Sequence, residues 1–286
     1  MFVKILSKTV ITEFYISQYD TFVNDRKTVS PATWKAKKLL SIDQNLVDIS
    51  TELIFLNNAE QIYYLDIIRR GNTDKKTHII PLASIPKKKA ALPYINSENT
   101  VPTLCWWGTF IPLHGLEKII GAAEILKTKN VSFRMYLFGT SEELSQPYKS
   151  LVEEKQLSDC VFIDNNKHFS DHSLEDFLAS HCDIAFGNFG DSVKGRTVLV
   201  NKIVEAASMG IPVISQQTAG LTEYFEDNKN IVFAKATPEG IAEKIMEAME
   251  EKTLLLNIAK QSYEVYRNSF SKESYIRQIS NLLSHK

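Results

Sequence analysis

The chain has 286 residues and a formal net charge of −1, with 44% hydrophobic and 23% charged residues. These values are typical of a globular protein, and a net charge so close to zero excludes a global attraction to nucleic acid. No run of about 18 apolar residues is present, so the sequence predicts no membrane-spanning helix.

The three cysteines are widely spaced and show no CxxC pairing, as is usual in a reducing compartment. We therefore expect a cytoplasmic protein. The basic segment 34–40 (WKAKKLL) could hold it peripherally at the inner face of a membrane, although a solvated helix face is the favoured interpretation.

Residues 1–85 are expected to form only part of a domain. Two convincing strands cannot close a doubly wound sheet, and the apolar edge would stay open. We therefore expect that a segment upstream or a partner polypeptide completes this part of the fold. The pattern predicts helices over 31–48 and 60–70, and buried parallel strands over 51–56 and 77–81.

Residues 86–100 are predicted to be a solvated linker because they contain two prolines and three consecutive lysines. From 101 to 270, apolar strands alternate with amphipathic helices, which predicts a complete parallel, doubly wound sheet covered on both faces. Residues 271–286 are expected to form a C-terminal helix that could pack back on the N-terminal part. The predicted strands are 101–107, 132–138, 160–163, 182–186, 211–215 and 230–233. The predicted helices are 114–127, 142–156, 173–180, 200–209, 219–225, 238–250, 253–267 and 272–284.

Ligands of such sheets bind beyond the carboxyl ends of the strands. The loop after the first of these strands contains Gly108 and Gly115, which allow close backbone approach, and it leads into a helix near His114. A helix N-terminus suits a phosphate group. A tight turn would need glycine for structural reasons alone, and that alternative stays open.

The helix predicted from residue 200 carries polar residues in an apolar setting. Asn201 and Glu205 share one of its faces, and Lys202 lies three residues before Glu205. Charged residues are rare on a mostly buried helix, so their presence suggests a function. A lysine could bind a diphosphate, and a glutamate could accept hydrogen bonds from the hydroxyls of a ribose. The alternative is a surface ion pair of little energetic consequence. His168 and His172 could bind a metal ion, but they flank Ser170 and Asp171 in a polar stretch, so a solvated loop is the favoured interpretation.

These motifs resemble the donor-binding half of GT-B glycosyltransferases, and most of all the bacterial family 4 enzymes that build surface polysaccharides. The resemblance rests on GxF…HG at 108–115, on FG…K followed by NKxxEAxxxGxPVI up to residue 214, and on Glu223. It covers residues 100–265 well and 15–85 more weakly, where YDTFVNDR and the strand at 51–56 resemble the second half of an acceptor domain. It implies an α/β, GT-B-like fold in which a partial Rossmann-like domain precedes one complete doubly wound Rossmann-like domain.

The resemblance implies a retaining, hexosyltransferase-like enzyme. It would move a sugar from a nucleotide diphosphate sugar to a polysaccharide or glycolipid acceptor, with no cofactor and no metal ion. The main alternative is a non-catalytic nucleotide-sugar-binding subunit whose protein partner supplies the missing N-terminal half. A GT-B epimerase is a weaker alternative, because the N-terminal carboxylates Glu13, Asp20 and Asp25 form no convincing acid/base motif.

Site residues follow from the resemblance position by position. His114, if protonated, and Lys202 would be the catalytic cations on the leaving diphosphate. Gly108, Thr109 and Gly115 would lie along the diphosphate or the transferring sugar, and Asn201 and Glu205 would face the nucleotide, with Glu205 on the ribose hydroxyls. The backbone of Asp164 and Asn165 would contact the base, and Phe189, Gly190 and Lys194 would line the sugar.

The chain departs from the family pattern in two positions and at its start. Thr109 stands where the common pattern has an arginine, and Thr197 stands where it has a glutamate that holds sugar hydroxyls. Family members begin with a βαβ run that this sequence lacks. A fragment, a natural short form and a chain completed by a second polypeptide are the alternatives.

Overall fold

A computed structural model describes residues 9–71, 73–97 and 101–284. Four short stretches lie outside the described residues: 1–8 in the predicted N-terminal part, residue 72, 98–100 at the end of the predicted linker, and 285–286. None of the helices in the described ranges has the length and apolar composition needed to span a bilayer.

The N-terminal part is built on a parallel sheet of three strands in the order β1-β2-β3. The prediction of two strands was therefore one short. The missed strand, β1, has three residues and includes an exposed glutamate, so it leaves no apolar run in the sequence. The strands are β1 (Ile11–Glu13), β2 (Glu52–Phe55) and β3 (Lys76–Ile79), and the helices are a π-helical turn (Asp20–Asp25), α1 (Trp34–Ile49) and α2 (Asn58–Ile67).

The second part is a six-stranded parallel sheet in the order β6-β5-β4-β7-β8-β9. The strand order reverses between β4 and β7, which makes their carboxyl ends the topological switch point where such folds bind ligands. The predicted fold class, a complete doubly wound domain preceded by a partial one, is confirmed. The strands are β4 (Thr103–Trp107), β5 (Arg134–Phe138), β6 (Val161–Asp164), β7 (Ile184–Phe186), β8 (Val213–Ser215) and β9 (Val232–Phe233).

Most predicted helices of this part are present, but residues 219–225 form turns rather than a helix. Two bonds of the i→i−4 kind are present, from Thr222 to Thr218 and from Phe225 to Leu221, but they do not continue into a helical ladder. The helices are α3 (Pro93–Asn96), α4 (Leu116–Thr128), α5 (Glu142–Glu154), α6 (Ser173–His181), α7 (Asn201–Met209), α8 (Pro238–Glu250), α9 (Lys252–Val265) and α10 (Lys272–Ser284), with a π-helical turn at Tyr266–Phe270.

The segment predicted as a solvated linker lies against the second sheet's helices. The backbone N–H of Lys88 donates to Glu175, and those of Ala90 and Ala91 donate to backbone carbonyls at the ends of α7 and α6. Leu92 and Ile95 belong to the core of the second domain. Lys88 and Lys89 are exposed, as expected of a solvated linker, but Leu92 and Ile95 are buried, so the segment is not solvated along its whole length.

Two contacts made by the second domain fix the first. The Glu223 carboxylate accepts hydrogen bonds from the backbone N–H groups of Asn58 and Ala59 at 2.9 and 2.8 Å, so it caps the N-terminus of α2 from the other domain. The C-terminal helix α10 lies against the first sheet, where Leu282 packs with Ile54 and Ile80. The two sheets are thereby held on either side of one cleft.

A buried ion pair also joins the two domains. Nζ of Lys194, in the loop after β7, lies 3.0 Å from Oδ2 of Asp20 and 3.6 Å from Oδ2 of Asp25. Asp20 is fully buried, and its Oδ1 accepts a hydrogen bond of 2.8 Å from the Tyr63 hydroxyl. Lys194 is therefore the counter-ion of a carboxylate that has no access to water.

We predict that Lys194→Met destabilises the protein by about 3–5 kcal/mol, because it leaves the Asp20 charge buried and uncompensated. Urea unfolding measures this effect. The control is Lys244→Met, which breaks the solvent-exposed pair with Glu247 and should cost less than about 1 kcal/mol. Adding Asp20→Asn to Lys194→Met should recover part of the loss. Wild-type stability of Lys194→Met would contradict this account.

Candidate functional site

A cleft of about 620 Å³ lies between the two domains at the switch point. This volume is in the range of pockets that hold small organic ligands, roughly 300–1,000 Å³. The second domain contributes the loops after β4, β5, β6 and β7 and the start of α7. The first domain contributes a wall made of Tyr15, Ile16, Thr21, Asp25, Arg26, Glu60 and Tyr64.

The loops after β4 and β7 contact each other backbone to backbone. Gly115 has a φ of +62°, and a Cβ on it would lie 2.5 Å from the Phe189 carbonyl oxygen. A Cβ on Gly190 would collide with the Leu113 carbonyl. Gly115 and Gly190 are therefore needed for the packing of the two loops. This agrees with the structural alternative to a phosphate-binding role that the sequence analysis left open for Gly115. Gly108, with a φ of +141°, does line the cleft.

Two buried amides hold the loop after β7 in place. The side chain of Asn188 donates to the Gly195 carbonyl at 2.6 Å. The side chain of Gln216 donates to the carbonyls of Gly190 and Gly195 at 2.9 and 2.8 Å. The loop is therefore fixed before any ligand enters the cleft.

The most unusual residue of the cleft is Lys202. It is 6% exposed, and its ammonium lies 4.7 Å from the centre of the Trp106 ring and 3.2 Å from Nδ1 of His114. Within the described ranges, no carboxylate lies within 4.0 Å of its Nζ. Burial lowers the pKa of Lys202 to about 7, against an opposing effect of Glu205. A buried cation held by two aromatic rings is poised to take an anion as its counter-ion.

His114 supports Lys202 instead of acting as a second cation. It lies in a 3₁₀ turn (Pro112–His114), is 7% exposed and packs edge-to-face on Trp106 at 5.3 Å. Burial and the neighbouring Lys202 charge lower the pKa of His114 to about 2, so the imidazole is neutral. The predicted role of His114 as a cation depended on its protonation, which this lowered pKa disfavours, and Nδ1 can accept from the lysine ammonium.

The first turn of α7 faces the cleft. Its N-cap, Val200, offers no side-chain cap, and both Val200 and Asn201 line the cleft together with Lys202. The helix near His114 was predicted to supply this N-terminus, but the residues of α4 are not in the cleft wall. Free N–H groups beside a buried cation make α7 the stronger anion site.

Glu205 lies one turn further along α7, half-buried, with the side-chain N–H of Trp107 donating to its Oε2 at 2.7 Å. Both residues line the cleft. Asn201, Lys202 and Glu205 therefore line the cleft together, as predicted. The hydrogen bond from Trp107 to Glu205 was not predicted.

The remaining predicted residues lie at or beyond the edge of the cleft. Thr109 is exposed, and neither it, Asp164 nor Asn165 is in the cleft wall. Asn165 donates instead to Glu142 and Ser145. The wall after β6 is formed by Lys167, His168, Phe169 and Ser170, so this loop borders the cleft, while its residues 170–172 are exposed as a solvated loop would be.

Phe189 and Lys194 occupy places that limit their predicted contact with a sugar. The Phe189 side chain is fully buried against Phe186, so only its backbone could face a ligand. The Phe189 carbonyl already accepts from Lys118 at 2.9 Å. Lys194 does line the cleft, but its ammonium is paired with Asp20.

The part of the first domain in the cleft wall was not predicted: Asp20 and Asp25 were considered only as acid/base candidates, and Glu60 was not considered. Asp25 and Glu60 face the cleft, and Asp20 stands behind them in the pair with Lys194. Burial raises the pKa of Glu60 to about 8. The signal was the YDTFVNDR segment: its aspartates follow the carboxyl end of β1, where ligands meet such sheets. In the described residues, no group of three or more His, Cys, Asp or Glu side chains is arranged to hold a metal ion.

Comparisons with known proteins agree with this architecture. YqgM of Bacillus subtilis (strain 168), an uncharacterized glycosyltransferase, is 24% identical over 194 residues, which are 66% of this chain and 51% of that protein. The chain thus spans about half the length of the curated relative that it matches.

Two solved structures are similar in fold. Sucrose-phosphate synthase from Thermosynechococcus elongatus superposes with a TM-score of 0.75 at 16% identity, over 96% of this chain and 67% of that one. HepE from Anabaena, in complex with UDP and glucose, gives a TM-score of 0.71 at 16% identity, over 96% and 71%. At these identities the likeness shows the fold alone.

The family model for glycosyl transferases group 1 matches residues 89–265, which is more than half of the chain and includes both loops of the switch point and the whole of α7. The protein belongs to the glycosyl transferases group 1 family.

Proposed function

We propose that the cleft binds a nucleoside diphosphate sugar, with UDP as the nucleotide, and that the sugar passes with retention of configuration to a saccharide or lipid-linked acceptor. The observation that carries this proposal is the buried Lys202 ammonium, which has aromatic neighbours but no carboxylate counter-ion in the described part of the chain. A diphosphate is an anion of suitable size and charge for that place.

The proposed roles follow from the geometry of the cleft. Lys202 and the free N–H groups at the start of α7 would bind the diphosphate and stabilise it as the leaving group. His114 would hold the Lys202 ammonium in place through Nδ1. Glu205 would accept from the ribose hydroxyls, Gly108 would lie beside the phosphates, and Phe169 would face the base. We assign no general base among the protein's residues.

The choice of UDP is supported by HepE, which was solved with UDP and glucose. The test is a thermal-shift panel of UDP, GDP and ADP with their glucose conjugates. A nucleotide present at about 100 times its dissociation constant should stabilise the protein by about 2.7 kcal/mol. We expect UDP and UDP-glucose to do so, and a panel without any stabilising nucleotide would overturn the proposal.

A non-catalytic binding subunit is the second candidate, and one observation favours it. Thr197 occupies the position of the glutamate that holds sugar hydroxyls in the common family pattern, and its hydroxyl donates to the Val193 carbonyl at 2.8 Å. A sugar ligand would find no carboxylate there. Transfer of labelled sugar to an acceptor, measured with protein that binds UDP, separates the two: turnover supports the transferase, and binding without turnover supports the subunit.

We predict that the affinity for UDP-glucose is nearly constant below pH 7 and falls about tenfold per pH unit above it. The reason is that the pKa of Lys202 in the free protein is about 7 and that only the protonated ammonium attracts the diphosphate. The charge of the diphosphate in UDP-glucose does not change in this pH range. Calorimetric titrations at pH 6.5, 7.5 and 8.5 measure the slope.

The matched control for this prediction is Glu60→Gln. Glu60 lines the same cleft, and its pKa is about 8, so its deprotonation would also weaken the binding of an anion. The Glu60→Gln protein should keep the slope, whereas Lys202→Met should lose it. A slope that persists in Lys202→Met would show that another group titrates.

We also predict that Lys202→Met stabilises the ligand-free protein by ~1–3 kcal/mol at pH 7, because a buried group with a lowered pKa is a cost to folding. Between pH 7 and about 10.5 the unfolded chain keeps the Lys202 proton that the folded protein has lost. The stability of the wild type should therefore rise with pH in this range, and that of Lys202→Met should rise less. Urea unfolding measures both trends.

The same substitution should weaken UDP binding by about 10- to 100-fold. The control Lys244→Met, which removes the same functional group from a half-exposed residue outside the cleft wall, should cost less than about 1 kcal/mol and leave binding unchanged. A destabilised Lys202→Met that still binds UDP as tightly as the wild type would contradict the assignment of Lys202.

A further inference from the structure

Two consecutive tryptophans at the carboxyl end of the central strand β4 each contact one charged residue of α7. Trp106 lies under the Lys202 ammonium, and Trp107 donates its indole N–H to Oε2 of Glu205 at 2.7 Å. The first contact belongs to the phosphate site described above. The second has no part in it so far, although both of its members line the cleft.

We propose that Trp107 is a positioning residue: its indole N–H fixes the Glu205 carboxylate so that the other oxygen, Oε1, faces the donor's ribose and makes the site distinguish ribose from 2′-deoxyribose. This inference rests on the proposed function, because it takes the ligand to be a nucleoside diphosphate sugar. It adds a residue from β4 to the part of the site that reads the nucleotide.

Trp107 can hold the carboxylate because its own ring is fixed. The side chain belongs to a strand with neighbours on both sides, it is 3% exposed, and its ring meets Phe169 edge-to-face at 6.3 Å. Phe169 comes from the loop after β6 and is itself part of the cleft wall. The indole N–H therefore points in one direction, toward α7.

The chemistry of the pair leaves one carboxylate oxygen for the ligand. An indole N–H is a donor only, while a carboxylate accepts several hydrogen bonds through its two oxygens. Oε2 is engaged by Trp107, and within the described ranges Oε1 accepts no hydrogen bond. In the proposed arrangement the 2′-hydroxyl of the ribose donates to this oxygen, and a 2′-deoxyribose lacks that donor.

Positioning matters here because a glutamate on a helix surface has several rotamers. If the carboxylate must be ordered when the ligand binds, the entropy cost of that ordering lowers the affinity for the ligand. A carboxylate that Trp107 already holds does not add this cost. Removing the N–H should therefore weaken the ligand that uses Glu205 and leave unchanged a ligand that cannot use it. A merely structural role of Trp107 would weaken both ligands alike.

The experiment is a calorimetric titration of the whole chain with UDP and with 2′-deoxy-UDP. We expect the wild type to prefer UDP by about tenfold or more, as expected for a charge-assisted hydrogen bond. Trp107→Phe should lower the affinity for UDP by about tenfold, leave that for 2′-deoxy-UDP within about twofold and so nearly abolish the preference. Glu205→Ala should lose the preference too, and the double variant should bind UDP no more weakly than Glu205→Ala alone.

The control variant is Trp34→Phe, which makes the same chemical change at a side chain that is 74% exposed and outside the cleft. It should leave both affinities unchanged. Should Trp107→Phe fail to fold, benzothienylalanine at position 107 keeps the shape of tryptophan and lacks the N–H, and the same two affinities are measured on it.

Three results would overturn the inference, and they are distinguishable. If Trp107→Phe keeps the wild-type preference for UDP, the indole N–H does not position Glu205. If both ligands weaken equally, Trp107 has only a structural role. If the wild type binds none of UDP, GDP and ADP, the proposed function fails and this inference fails with it.

Discussion

Lys202 is the residue around which the cleft is organised. Its ammonium is buried, and its neighbours are the face of Trp106 and the neutral imidazole of His114. Neither neighbour carries a negative charge, so burial lowers the pKa of Lys202 to about 7. A buried amine of this kind costs stability, and proteins keep such groups where a ligand repays the cost on binding.

The fold places this cation through a few fixed parts. Strand β4 lies beside the reversal of strand order and ends in the two tryptophans that contact Lys202 and Glu205. The loops after β4 and β7 lock together at Gly115 and Gly190. The partial first domain is attached by Glu223 and by the Lys194 pair, so its wall, which includes Asp25 and Arg26, forms the other side of the cleft.

The strand–helix alternation of the second domain and the neighbourhood of Lys202 and Glu205 were predictable, because buried strands and a charged pair on an apolar helix leave a local pattern. The neutral state of His114 was not, since it depends on burial by Trp106 and on the Lys202 charge, both contributed by distant segments. The hydrogen bond from Trp107 to Glu205 was not predictable for the same reason, since the two residues are distant in the chain. Strand β1 was missed because three residues, two half-buried and one exposed, carry no periodic signal, and the place of Asp20 and Asp25 beside the cleft was therefore not predicted.

The most direct test is the titration of the Lys202 side chain itself by NMR, with ¹⁵N-labelled lysine and the Lys202→Met protein to assign its signal. The account predicts a midpoint near pH 7 in the free protein and a midpoint at least one unit higher with saturating UDP, because the diphosphate stabilises the charged form. A midpoint near the ordinary lysine value of about 10.5, unchanged by UDP, would contradict it.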